Sequence, residues 1–320
     1  MLNRRQGWHV AALFMNALLL LAEFDERRLG AQDRVQPDYS APLDFNSQPV
    51  VAEPPSYFDI AWQIAQPRKG TAKFTWLVGG GDDFLETTKT DLALTAVAPF
   101  PWLEDSMLAI SPGFSVQTLH GPDGIELPSE LYQATVNFTL IKPMGEGAEL
   151  LLGFAPSIAS DFDATGSDAF RFMGFATYSW QASATTKWML GAAATGREDI
   201  PVLPMVGVVW NPSETWQVEL TMPRPRVAHR LDWFATANEN WTYVAGEFGG
   251  GTWAVDRNGQ NDEITLRDFR LVLGWEQRGK VGLRPQVEIG YVFGRNVEYD
   301  SDDYQYQPAD TVMLRAGFSF

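Results

Sequence analysis

The feature that most constrains this chain is alternation. From about residue 72 to residue 320, large apolar side chains recur at every second position in segment after segment. In LYQATVNFTLI, Tyr132, Ala134, Val136, Phe138 and Leu140 share one face, and Gln133, Thr135, Asn137 and Thr139 share the other. TWQVELTM sets Trp216, Val218, Leu220 and Met222 against Gln217, Glu219 and Thr221. Successive side chains of a strand point to opposite sides, so these are strands with one apolar and one polar face. A membrane helix bundle needs several apolar runs of roughly 20 residues, and after the N-terminal region none is present.

About fourteen such segments are predicted, with twelve as the other even count. They lie near 72–79, 87–100, 107–119, 130–142, 148–159, 168–181, 185–196, 202–211, 214–222, 228–236, 241–250, 263–275, 281–294 and 311–320. Segments 202–211 and 241–250 alternate poorly. A soluble sandwich also alternates, and three further features choose between the two. The last segment runs to the final residue, with Phe318 and Phe320 two apart, as a closing strand would. Trp180, Trp210, Trp216, Trp233, Trp241 and Trp275 lie at or near segment ends, where an interfacial girdle puts them. Connections alternate between a longer, acidic set (near 80–86, 120–130, 160–168, 197–201, 223–227, 251–263 and 295–310) and a shorter set such as KPMGEG, NPSET, NENW and EQRGK.

These features resemble those of bacterial outer-membrane β-barrels of the channel or transporter type. The resemblance spans residues 72–320 and implies an all-β fold: a closed, antiparallel, up-and-down transmembrane barrel in the outer membrane, reached by export across the inner membrane. It also implies outer-membrane lipid as the surroundings, and a terminal Phe318–Phe320 signal read by the barrel-insertion machinery. It does not select a subfamily.

Upstream, Arg4 and Arg5 precede an apolar stretch from Val10 to Leu21, the order of a secretory signal peptide over residues 1–31. Residues 32–56 are rich in Pro, Gln, Ser and Asp without periodicity, within a segment that runs to residue 71. The whole of 32–71 reads as a flexible periplasmic segment, or as a plug. The formal charge of −16 argues against a nucleic-acid partner, because phosphate would be repelled. The absence of cysteine excludes disulfides and thiolate metal sites.

Signals for chemistry are thin. A barrel hydrolase would need His120 or His229 beside a nucleophile such as Ser115, and no motif supports that pairing. The glycine triplets at 79–81 and 249–251 lack the helix and lysine of a phosphate loop and read as flexible strand ends. Asp161, Asp163 and Asp168, and Asp300, Asp302 and Asp303, are candidates for weak divalent-cation binding, including bridges to lipopolysaccharide. No cofactor is implied.

If the aromatic face meets lipid, the opposite face carries Lys89, Asp91, Arg171, Glu219, Arg230, Asp232, Asp268, Arg270, Arg284, Glu288 and Arg315. Buried charges need partners or water, so this set implies a water-filled lumen or a salt-bridge network. Arg270, Arg284, Glu288 and Arg315 come from neighbouring strands and are expected to form one charged ladder. The leading expectation is a channel that passes small hydrophilic solutes passively. The alternatives are a plugged transporter for hydrophobic compounds, a structural or adhesive barrel with acidic cation-binding loops, and a soluble secreted β-protein.

Overall fold

A computed structural model describes residues 67–320, apart from 81–82, 146, 165, 197–200, 232–237, 280–281 and 302–304. The expected signal peptide, most of the 32–71 segment, Asp232, Trp233, Asp302 and Asp303 lie outside the described residues.

The strands are β1 (Pro67–Leu77), β2 (Glu86–Pro99), β3 (Met107–His120), β4 (Glu130–Pro143), β5 (Ala148–Ser160), β6 (Phe170–Ser183), β7 (Thr186–Ala194) and β8 (Val202–Ser213). They continue with β9 (Trp216–Thr221), β10 (Arg226–Leu231), β11 (Glu239–Arg257), β12 (Gln260–Arg278), β13 (Arg284–Tyr299), β14 (Gln305–Tyr306) and β15 (Thr311–Ser319). Each strand from β1 to β13 pairs antiparallel with the next, and β15 lies between β13 and β1. The ring of fourteen strands is therefore closed, with β14 a two-residue clip on β13. Closure is sealed by reciprocal backbone bonds between Gly70 and Phe320, at 3.0 and 3.1 Å. β1 begins at Pro67, five residues before the expected barrel start, because Gly70 and Thr71 already pair with the last strand.

Alternation decides which side chains meet which surroundings. On β12 the side chains of Phe269, Leu271 and Leu273 point outward and are about half exposed, whereas Val272 between them is fully buried. Val287, Ile289 and Tyr291 on β13 and Val312 and Leu314 on β15 continue the outer face. An outer surface of contiguous Phe, Leu, Val and Ile is far larger than a soluble monomer exposes, and the sheet pairs its first strand with its last, as a barrel in lipid must. The chain is a membrane-spanning β-barrel.

One departure from the expected layout shapes everything above the membrane belt. The predicted loop at 251–263 is instead strand. β11 and β12 run in unbroken register to a two-residue turn, Asn258–Gly259, whose φ values of 57° and 82° match the primed hairpin turns. The glycines at 249–251 do not end the strand; they bend it. Gly250 has a φ of +97°, and a Cβ there would lie 1.9 Å from the Leu266 carbonyl. On β13 the alternation slips by one residue beside Gly294 (φ +59°), opposite the Arg267–Phe269 irregularity. Bend and bulge line up across three strands, and a bulge increases local twist.

Above this corner the β11–β12 hairpin reaches β5. Ala254 pairs in parallel with Ser160, and its carbonyl accepts a bond from the Asp161 N–H at 3.1 Å. Leu119, Leu131, Ala159, Trp253, Val255, Ile264, Leu266, Val297, Tyr299 and Tyr306 pack together there as one buried cluster. The upper barrel, from β11 round to β5, is thus narrowed and filled with apolar side chains, while β6–β10 end beneath it.

Candidate functional site: a charged lumen

Below the apolar core the inward residues become charged. Asp268 and Arg270 of β12 pair at 2.5 Å. Arg270 also lies 3.5 Å from Glu247 of β11. Arg315 of β15 binds Glu247 at 2.6 Å and Glu288 of β13 at 2.6 Å. Glu288 has no solvent-exposed side-chain surface and accepts further bonds from Arg224 (2.8 Å), Tyr243 (2.5 Å) and Gln286 (2.8 Å). Four donors surround this one buried carboxylate and satisfy it, the condition under which a buried ion pair is tolerable.

Arg224 comes from elsewhere. It sits on the short turn between β9 and β10, reaches inward to Glu288 and Glu247, and retains a side-chain exposure of 35%. Towards the turn end, Glu276 bridges Arg226 (2.7 Å) and Arg278 (2.6 Å). Those guanidinium groups stack on Tyr243 and Trp241 at 3.8 and 4.3 Å from the ring centroids. Tyr243 can lie flat against the wall because Gly274 faces it: a Cβ at 274 would meet the ring at 2.2 Å. Lys73 of β1 is inward as well, beside Gly317. This band holds six cations (Lys73, Arg224, Arg226, Arg270, Arg278, Arg315) and five carboxylates (Glu219, Glu247, Asp268, Glu276, Glu288). A polar cavity of about 150 Å³ lies between band and core, lined by Thr75, Lys89, Gln117, Asp268, Arg270 and Arg295 among others.

The expected inward residues are placed as follows. Arg270, Glu288 and Arg315 meet in the ladder, joined by Glu247, which the sequence reading missed. Arg284 does not join them: as the first residue of β13 it lies at the turn end, where it donates to the Gly279 carbonyl at 3.3 Å. Lys89 and Asp91 pair with each other at 2.9 Å on β2. Arg171 of β6 reaches Glu263 on the folded-over hairpin at 2.8 Å. Arg230 faces Glu239 at 3.4 Å, and Glu219 lies on the inner face of β9.

Among the tryptophans, Trp180, Trp210 and Trp216 are exposed on the outer face, with Trp275 on the outward face of β12. Trp241 is a correction: it faces inward, is buried, and donates its indole N–H to Glu239 at 2.9 Å. Its parity is that of Tyr243, Ala245 and Glu247, not of the outward Val244. Phe318 lies on the outer face of β15, and the ring of Phe320 lies where a Cβ of Gly70 would be.

The Ser115–His120 pairing is not assembled. The two lie on opposite faces of β3, and His120 packs against Phe84, with ring centroids 5.6 Å apart. His229 packs edge-on to Trp216 at 4.6 Å. The Asp161 carboxylate accepts the backbone N–H groups of Asp163 (3.0 Å), Ala164 (2.9 Å) and Asp256 (2.9 Å), so it braces its loop against the hairpin. Asp168 accepts the Ser167 hydroxyl at 3.1 Å, and Asp300 donates its backbone N–H to Glu263 at 3.0 Å. Among the described residues no three acidic or histidine side chains converge as metal ligands.

A family profile described as "Domain of unknown function (DUF6268)" matches residues 114–306. Among solved structures, a KdgM porin is similar at 9% identity and a TM-score of 0.37, covering 79% of this chain and 98% of its own. A NanC porin gives 10% identity and 0.36, covering 78% and 98%. An outer membrane channel from Pseudomonas putida F1, titled COG4313, gives 10% and 0.37, covering 78% and 93%. No curated protein matches the chain. At such values the architecture rests on the strand pairing itself.

Proposed function

Because the chain belongs to the DUF6268 family, whose description assigns no activity, we propose a function from the geometry: an outer-membrane channel for small hydrophilic solutes, selected by the arginine–glutamate ladder. The observation that carries this reading is a band of paired charges across the lumen, in which Arg224 and Arg278 keep about a third of their side-chain surface open, inside a wall whose outer face is apolar. A barrel built only for mechanical support has no need of hydrated charge in its interior, and a ring of fixed charges is how pores discriminate among solutes. Both chain ends of the barrel, Gly70 and Phe320, lie at the end with the two-residue turns Ala184–Thr185 and Glu214–Thr215, which is the periplasmic end in outer-membrane barrels. The sealed core then lies on the outer side. With six cations against five carboxylates in the band, and Arg224 the most exposed of the cations that touch Glu288, the lumen is expected to favour anions modestly.

The test is single-channel recording of the refolded protein in planar bilayers, with reversal potentials in a salt gradient. Discrete conductance steps with anion preference are expected, and Arg224→Ala reduces that preference. Silence after insertion has been verified, or a reversal potential of the opposite sign, overturns the reading.

A further inference from the structure

Among the described residues the barrel wall has a gap, and it opens between an apolar and a cationic surface. β9 and β10 are only six residues each. On the β8 edge, pairing with β9 stops at Gly207, with one further bond from the Met222 N–H to the Val206 carbonyl at 3.2 Å. On the β11 edge, pairing with β10 stops at Ala245, and the Gly246 N–H donates to the Pro225 carbonyl at 3.0 Å. Among the described residues, β11 then has no strand on that side from Glu247 to Trp253, until Ala254 meets β5. The gap is bounded below by the Met222–Arg226 turn and above by the hairpin, which Arg171 and Glu263 tie to the inner side of β6.

Its height matters. The turn is level with Val206, in the middle of the outward apolar stripe from Val202 to Trp210, so the gap begins inside the membrane belt. An open sheet edge is not tolerated against hydrocarbon, so the edge of β11 borders water or polar ligand groups. Pro223 and Pro225 flank Arg224 in the turn and carry no N–H, which limits the orphan donors presented there.

The wall beside the gap is unlike the rest of the lumen. Cross-strand registers and parity place Met173 and Phe175 of β6, Met189 of β7, and Leu203, Met205 and Val209 of β8 on the inner face. They are half-buried, whereas their outward neighbours Leu190 and Val206 are exposed. Met205 lies one rung above Gly207, the partner of Thr221 at the foot of the Arg224 turn. An apolar strip and a net-cationic cluster thus meet at the edge of the opening, while the way straight out is filled by the buried core around Leu131 and Ile264.

We propose that this gap is a side door for an amphiphile with a single anionic head and a hydrocarbon tail. The head engages Arg224 and its neighbours in the ladder, the tail lies along Met173, Phe175, Met189 and Met205, and exchange with the membrane occurs between β8 and β11. The inference rests on the channel reading of the cationic lumen and adds a solute with a hydrocarbon tail to the wholly hydrophilic ones.

The chain contains no cysteine, so a single one can be placed at will. Leu203→Cys carrying a polarity-sensitive dye, in the full-length protein in zwitterionic vesicles, is titrated with dodecanoate, dodecanol and acetate. Dodecanoate is expected to give a saturable signal, with dodecanol and acetate at least tenfold weaker. Arg224→Ala should weaken dodecanoate by about tenfold or more, the equivalent of one hydrogen bond to a charged group, and Arg224→Lys should restore part of it. Met205→Asp should weaken it independently. Vesicles doped with an anionic phospholipid decide the source: competition identifies a membrane lipid as a ligand, and its absence a free carboxylate, either one supporting the door. Equal responses to acetate and dodecanoate, or no effect of both Arg224→Ala and Met205→Asp, overturn the proposal. If the same preparation conducts ions, such a failure leaves the channel standing; if it is also silent, both fall.

Discussion

Arg224 and Glu288 are 64 residues apart in the chain and 2.8 Å apart across the lumen. The bond joins the lowest point of the wall, the turn between β9 and β10, to the fully buried carboxylate at the centre of the ladder. Removing Glu288 leaves Arg315 and Arg224 facing Tyr243 and Gln286 without their shared acceptor. Glu288→Ala is therefore expected to destabilise the barrel by about 3–5 kcal/mol, the usual consequence of breaking one side of a buried pair. Urea unfolding of the refolded protein checks it. Arg224→Ala, at a more exposed site, should have a smaller effect in the same assay.

The outer face gives a prediction that separates a membrane protein from a soluble one. Leu271 is 55% exposed at the middle of the outward stripe of β12. Leu271→Arg should cost about 2–4 kcal/mol in a bilayer, because the guanidinium is forced into hydrocarbon. The same change on a water-exposed face would be harmless. Unfolding equilibria in lipid vesicles decide between them.

Gly250 is the corner on which the hairpin turns. Its positive φ and the 1.9 Å approach of a built Cβ to the Leu266 carbonyl leave no room for a side chain. Gly250→Ala should cost on the order of 1–3 kcal/mol and loosen the hairpin, seen as faster hydrogen exchange at Trp253 and Val255. Gly259 also has a positive φ but open space around it, so Gly259→Ala should leave those amides slower to exchange than Gly250→Ala does.

Leu131 and Ile264 have no exposed surface and belong to the upper core. Either one changed to Ala should cost about 2–5 kcal/mol through lost contacts and a residual cavity. Leu131→Asp should do more than destabilise. By drawing water into the core it opens the axial route, and single-channel conductance should rise.

The strand positions were legible because each strand separates two surroundings, so its side chains must alternate whatever else they do. The same logic explains where alternation faded. β8 alternates poorly because its inner face is itself apolar, Leu203, Met205 and Val209 lying between the outward Val202, Val206 and Val208. β11 reads ambiguously because Trp241 and Tyr243 are inside, covering the wall under arginines. Four residues of the charged band were hidden in segments read as connections. Arg224 and Arg226 stand in MPRPR, and Glu276 and Arg278 in EQRGK, yet the structure turns all four inward. A connection too short to leave the wall, with its arginines flanked by prolines, was the available signal. Asn258–Gly259 was another, since that dipeptide between alternating segments marks a tight hairpin. The meeting of β11 with β5 left no local trace, because no periodicity records which distant strand a hairpin will lean upon.

That meeting also sets an order of events. Asp256 donates its backbone N–H to Asp161, 95 residues earlier in the chain, and the upper core needs strands from both halves of the sequence. Contacts so remote form only after the intervening chain has been gathered in, since the entropy of closing the loop is lost before the contact returns anything. The wide lower ring is built from neighbours in sequence and can grow strand by strand. During assembly the molecule therefore passes through a form whose ring is complete and whose outer mouth is still unsealed.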